Sequence, residues 1–217
     1  MAVPLLIPAA RLRPPQLDYA PIGLPPFDSL AGGLPRGAIT EIFGPPGSGR
    51  TSLLWTALAA AAARQEVCAL VDATDAFDPD AAAQAGLPLD RLLWIRCGGD
   101  AERALKAADR IVNDGGFGLI VLDLADLPLR VLRRIPPVCW FRLRRAVEGT
   151  PAILLVATPQ PVTGTCASLV VEMQGTQALW SGAPNARLLR GGVFQLRPRK
   201  PVHQQTASFS ARAQWAR

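Results

Sequence analysis

Apolar residues fall into short, nearly unbroken runs, separated by stretches in which they recur every three or four positions. The runs are Ala38–Phe43, Val67–Val71, Leu92–Arg96, Phe117–Leu122 and Ala152–Ala157. Runs of five or six residues bounded by turn signals are strand-length, and apolarity on both faces suits a strand buried in a parallel sheet. Helical patterns lie between them: from Thr51 through an alanine-rich stretch, after Pro79 to about Gly86, from Ala101 to about Asn113, and from Pro137 to Val147. Asp100 has the chemistry of an N-cap, Gly115 and Gly116 provide a stop, and prolines are tolerated in the first turn at Pro137. A short helix and turn over 27–37 lead into the first run. The alternation predicts an α/β fold, a mainly parallel sheet with helices on both faces. Ser168–Gln174 and Leu188–Leu196 read as a β-hairpin at the sheet's far edge. Residues 1–26 carry seven prolines and little periodicity. They predict an extended arm, with a short strand at Val3–Ile7, that drapes over its own domain or adds to a neighbour's sheet edge. The organisation expected is an arm over 1–26, one core over 27–197 and a basic tail over 198–217, without internal repeats.

The stretch between the first strand and the first long helix carries the chemistry. Gly44-Pro45-Pro46-Gly47-Ser48-Gly49-Arg50-Thr51-Ser52 is a glycine-rich turn in strand–loop–helix context, the setting of a phosphate-binding loop. Its glycines let consecutive N–H groups turn onto phosphate oxygens, and the helix N-terminus adds about half a positive charge. Thr51 stands where a loop hydroxyl ligates Mg²⁺. The usual lysine of G-x-x-x-x-G-K-[ST] is Arg50, which keeps the charge but is planar and bulkier. Asp123 closes the strand LIVLD, the Walker B arrangement, where a carboxylate holds Mg²⁺ through waters or simply caps a helix. Glu102 begins the helix after LLWIR; it either orients an attacking water or is ordinary first-turn charge. Thr158 and Gln160 follow the strand AILLVA and read equally as phosphate sensors or as turn residues.

Composition narrows the class without naming it. Forty-nine per cent apolar residues and 18% charged ones argue against disorder over a 217-residue chain. Four scattered cysteines form no C-x-x-C pair, which suits reduced thiols and gives no metal pattern. The opening MAVPLLIPAARL is too short and too proline-broken for a signal segment, and no run reaches a membrane span, so a cytoplasmic protein is expected. The formal charge of +6 favours a polyanionic or acidic partner. Arginines gather around the Pro136–Pro137 turn, and no acidic residue occurs from Gln174 to Arg217. That acid-free stretch points to phosphate-backbone contact, single-stranded DNA included, or to an acidic protein surface.

In order and spacing, GGLPRGAITEIFGPPGSGRTSLL, VCALVDATDAFDP, LLWIRCGGDAERAL and GLIVLDLADL resemble the core of RecA-type recombinases, from about Ile22 to Met173. The resemblance implies a RecA-like P-loop core, ATP held by Gly44–Thr51, Mg²⁺ at Thr51 and Asp123, and the catalytic-glutamate position at Glu102. The departures are a missing long N-terminal helix, only about ten residues between AILLVA and the next strand, Thr158-Pro-Gln160 in place of an Asn-Gln sensor, no separate C-terminal domain, and Arg50. Such a truncated pattern, with Trp140-Phe-Arg-Leu-Arg-Arg-Ala-Val-Glu148, is similar to the ImuA group of mutasome proteins. That group implies a part in damage-inducible (SOS) translesion synthesis, with RecA and translesion-polymerase components as partners. Three functions remain in view: an accessory DNA-repair protein with weak ATP binding, a competent DNA-dependent ATPase of recombinase type, and an interaction module without nucleotide.

Overall fold

A computed structural model describes residues 18–201 and 205–212. The expected strand at Val3–Ile7 lies outside them. Among the described residues, ten strands and six helices follow one another: β1 (Tyr19–Ala20), α1 (Pro25–Ala31), β2 (Leu34–Pro35), β3 (Ala38–Phe43), α2 (Arg50–Ala63), β4 (Cys68–Asp72), α3 (Pro79–Gln84) and β5 (Leu92–Arg96). Then come α4 (Ala101–Asp114), β6 (Leu119–Asp123), α5 (Leu129–Leu132), α6 (Pro137–Val147), β7 (Ile153–Thr158), β8 (Ala167–Ser181), β9 (Leu188–Lys200) and β10 (Ala207–Arg212). Eight strands form one sheet in the order β10-β9-β8-β3-β7-β6-β4-β5. The segment from β8 to β5 is parallel throughout, and β9 and β10 add antiparallel strands at the other side.

The alternation of side chains about β3 divides the core in two. Ile39 and Phe43 join a cluster with Leu105 of α4 and Trp140 of α6, whereas Ile42 joins one with Leu53 and Leu58 of α2. Asp100 and Asp78 cap α4 and α3 through their side chains, as short polar residues before a helix do.

Within residues 18–26, Ala20 and Ile22 are buried, β1 pairs with β2, and the Asp28 carboxylate accepts from the N–H groups of Ile22 and Gly23. The tail expected from residue 198 contains the end of β9 and all of β10, whose Phe209 packs on Phe194 with ring centroids 5.2 Å apart. A six-residue strand with one large apolar side chain, in a polar, basic context, leaves little period-two signal. The hairpin strands are also longer than expected, because the exposed ends of β8 and β9 carry glycine and polar residues that hide their pairing.

Candidate functional site: a phosphate loop with its arginine turned inward

The loop between β3 and α2 is shaped by close approach. Gly47 and Gly49 have φ of 74° and 87°, where a side chain is strained. A Cβ on Gly44 would run into the Met173 carbonyl of β8, and one on Gly49 would lie 2.8 Å from the Phe194 ring of β9. The loop is therefore pressed against the antiparallel strands. The Ser48 hydroxyl is buried without a hydrogen-bond partner among the described residues, and α2 begins at Arg50 with no side-chain cap. An orphaned hydroxyl beside an uncapped helix N-terminus fits an anion such as a nucleotide phosphate.

Arg50 does not face that loop. Its side chain is buried, and Nη1 donates to the Thr158 carbonyl at 2.8 Å and to the Ala125 carbonyl at 3.4 Å, while Nη2 lies 4.0 Å from Asp126. The guanidinium thus ties together the chain ends that leave β6 and β7. Burial lowers its pKa, and Asp123 and Asp126 act against that shift. A lysine's single nitrogen could not span two carbonyls and a carboxylate with the same fork geometry.

Thr51 and Asp123 are brought together. Both line a cavity of about 90 Å³ with Trp55, Phe77 and Asp126. Asp123 Oδ1 accepts from Ala125 N–H at 3.0 Å. Burial pushes its carboxyl up to about 6; the Ala125 N–H opposes the shift, Asp72 and Asp126 add to it, and Arg50 also opposes it. One hydroxyl and one carboxylate across a small polar cavity fit a hydrated Mg²⁺, which keeps most of its water. No group of three or more metal-ligating side chains occurs among the described residues.

Glu102 is not brought to this site. It lies in the first turn of α4, the helix that follows the edge strand β5 and packs against α6, β6 and β4. The Glu102 side chain is 76% exposed and pairs with Lys106 at 2.6 Å. It lines a different groove, about 480 Å³ between α4 and α6, with Leu105, Ile135 and Arg142. The helix start has the expected sequence, but Glu102 faces the groove against α6 and not the cavity lined by Thr51 and Asp123. Thr158 is likewise committed elsewhere: its buried hydroxyl donates to Glu41 at 3.1 Å. Gln160 is exposed.

Three residues of the site escaped the sequence reading. Glu41 is buried in β3, and its carboxylate also accepts from Val162 N–H and from the N–H and hydroxyl of Thr163. It anchors the short segment after β7. A lone acid inside an apolar strand was the available signal. Asp72 sits beside Asp123 in register and accepts from Thr74, Ala76 and Phe77 N–H and from the Trp94 indole, shaping the turn after β4. Asp126, three residues past Asp123, was legible only as a stray charge.

The residues that form this site resemble known proteins in sequence. Residues 27–128 match the model of the RecA N-terminal domain. Protein RecA of Leifsonia xyli subsp. xyli is 41% identical over 113 residues, which are 49% of this chain and 31% of that protein. Protein RecA of Cutibacterium acnes is 45% identical over 92 residues, 42% of this chain and 26% of that protein. Protein RecA of Kineococcus radiotolerans is 39% identical over 114 residues, 52% of this chain and 32% of that protein. The chain thus spans about a third or less of the length of these relatives. These matches support a RecA-like family. No helix among the described residues is long and apolar enough to cross a membrane.

Proposed function

We propose that this RecA-like chain is an accessory protein of DNA damage tolerance, of the ImuA kind, that binds Mg-ATP weakly and acts through partner and DNA contacts. The observation that carries the reading is Arg50. A residue at the P-loop lysine position that is buried and bonded to the Thr158 and Ala125 carbonyls must break those bonds to reach a phosphate. Glu102, at the start of α4, is exposed in a pair with Lys106 and lines the α4–α6 groove, which supports a loop without the carboxylate expected to orient a water.

The remaining parts still suit binding. In this reading the N–H groups of Gly47–Thr51 and the Ser48 hydroxyl hold the phosphates, and Thr51 and Asp123 hold Mg²⁺ through water. When bound, the ion would neutralise phosphate charge. Asp123, with its carboxyl pushed up to about 6, is mostly ionised at neutral pH and available to hold that ion's water. RecA and translesion-polymerase components are the partners this reading assigns, and the cytoplasm its place.

A Mg-ATP titration read by thermal shift tests it, on the wild type, Arg50→Lys and Thr51→Ala. The wild type should show a small upward shift, Thr51→Ala none, and Arg50→Lys a larger one, because the shorter cation leaves the carbonyls. Without ligand, Arg50→Lys should be about 1–2 kcal/mol less stable, since buried carbonyls lose their donor. Saturation of the wild type at micromolar ATP, with rapid turnover stimulated by single-stranded DNA, would instead favour the competent ATPase. The Thr51–Asp123 cavity is what keeps that second reading in play.

A further inference from the structure

The groove beside Glu102 has no place in the nucleotide site, and the helices around it carry a charge that the fold does not answer. From Leu127 to Val147 there are six arginines and no acidic residue. Arg130, Arg133, Arg134, Arg142, Arg144 and Arg145 are all exposed, on α5 and α6 or between them. Arg142 pairs with Asp109 of α4 at 2.9 Å. The other five have no acidic partner within ion-pair distance among the described residues. Like charges crowded onto two consecutive helices repel one another in the free protein, and a negative surface laid against them relieves that repulsion.

The same surface is apolar where it meets water. Val138 and Phe141, one turn apart on α6, are 68% and 52% exposed. Val138 in turn stands one turn from Arg142, which lines the groove. The groove itself, about 480 Å³, is walled by Leu105, Val131, Ile135, Pro136 and Cys139. Its two sides differ in charge. On α4, Glu102 and Lys106 neutralise each other at 2.6 Å, and Asp109 is spent on Arg142. On the α5–α6 side Arg134 lines the groove unanswered. The result is an apolar trough with one neutral bank and one positive bank.

The chemistry of this trough selects its occupant. A small molecule is fixed by converging buried polar groups, whereas every charged residue lining the groove is exposed and three of the four are already paired. A nucleic-acid strand would bring its phosphates past the Glu102 and Asp109 carboxylates, and no aromatic ring lines the groove to stack a base. A helix laid between two helices is the form that remains. Its apolar residues at i, i+3, i+4 and i+7 would fill the trough and cover Val138 and Phe141, and carboxylates along one flank would meet the arginines. The 11 residues of α6 are about 16 Å long, which three to four turns of a partner helix would span.

We propose that the α4–α6 groove is a docking site for an acidic amphipathic helix of a partner protein. It gives a location to the partner contacts in the reading above and does not rest on nucleotide at the loop.

The probe is a fluorescein-labelled peptide of about 16 residues, with leucines at i, i+3, i+4 and i+7 and glutamates along the flank. Anisotropy is measured with the full chain and no ATP. The peptide should bind about tenfold more tightly than a copy with glutamine for each glutamate at about 50 mM salt, and the difference should shrink as salt rises. It should also bind more tightly than a copy of the same composition with its leucines scattered. Phe141→Ala should weaken binding by about tenfold. Arg130→Gln/Arg134→Gln should bring the glutamate peptide down towards the glutamine one and leave the latter unchanged. The bound peptide should slow alkylation of Cys139, which is half-buried in the groove while Cys68, Cys97 and Cys166 are buried. Melting temperatures of the variants should match the wild type, because the altered side chains are exposed.

The proposal is overturned if the glutamate peptide binds no better than either copy, if Phe141→Ala binds like the wild type, or if Cys139 reacts equally fast in the complex. Displacement of the peptide by oligo(dT) as effectively as by unlabelled peptide would also overturn it, in favour of a nucleic-acid surface. Since ATP is absent, none of these failures repeats a failure of the thermal-shift test at the loop.

Discussion

The parallel and antiparallel halves of the sheet solve opposite problems. From β3 to β4 every strand residue is buried except Asp123, and polar groups there are spent on one another: Glu41 on Thr158 and Thr163, Asp72 on its own turn, Arg50 on two carbonyls. Past Glu172 the ribbon of β8 and β9 leaves its arginines and its tryptophan facing solvent. The half that carries the phosphate loop has turned its one loop cation into a structural tie. The half with no recognisable motif carries the free positive charge of the sheet.

If the parallel half is held by internally spent polar groups, removing one should be costly. Glu41→Ala strands four donors around a buried carboxylate position, those of Thr158, Val162 and Thr163, and should cost about 3 kcal/mol or more in urea unfolding. Glu41→Gln keeps one acceptor oxygen and should cost less. A loss below about 1 kcal/mol for the alanine variant would mean that the segment after β7 is held by something else.

The seam between the halves gives the next largest effect. Gly44→Ala drives a methyl group into the Met173 carbonyl and to 2.8 Å from the Ser48 hydroxyl, and should cost about 2–3 kcal/mol through displaced backbone. Gly47→Ala meets nothing within 4 Å and is disfavoured only by its φ of 74°, which costs about 1 kcal/mol. Equal costs for the two would show that the loop is not pressed against β8.

Dryness of the parallel half can be read from Cys68 in β4. Burial pushes its thiol up to about 11, with Glu66 adding and Arg64 opposing. The folded pKa exceeds the unfolded one, near 8.5, so the fold holds the proton. The associated stability is complete below about pH 8.5 and is lost as the pH rises towards 11. Between pH 8 and 10 the wild type should therefore lose about 2 kcal/mol more than Cys68→Ala in urea unfolding. A matched loss would place water at this strand.

How much of the molecule was legible depends on the kind of signal. Runs such as LIVLD and AILLVA declared the parallel strands, because burial on both faces leaves only apolar residues. Gly44 to Thr51 declared the loop, because only glycine accepts its backbone geometry. The direction taken by Arg50 was not legible, since it depends on carbonyls of Ala125 and Thr158 that lie 75 and 108 residues away in sequence. β10 was hidden for a different reason: ASFSAR owes its strand to pairing with β9 and to one phenylalanine, rather than to intrinsic pattern.

Glu102 shows the same limit most plainly and gives the smallest expected effect. The AERAL helix start follows a strand as an active-site helix would, yet sequence adjacency to a strand says nothing of which groove a side chain on that helix enters. Glu102 of α4 makes an exposed pair with Lys106, the kind that contributes little. Glu102→Gln should leave the melting temperature and the Mg-ATP shift of the wild type unchanged. Asp123→Asn, two strands from β3 and lining the same cavity as Thr51, should abolish the magnesium dependence of that shift. If Glu102→Gln altered the nucleotide response as strongly as Asp123→Asn, the edge strand would have to approach the loop of another copy of the chain. The division between the two halves of one sheet would then be a property of the assembly.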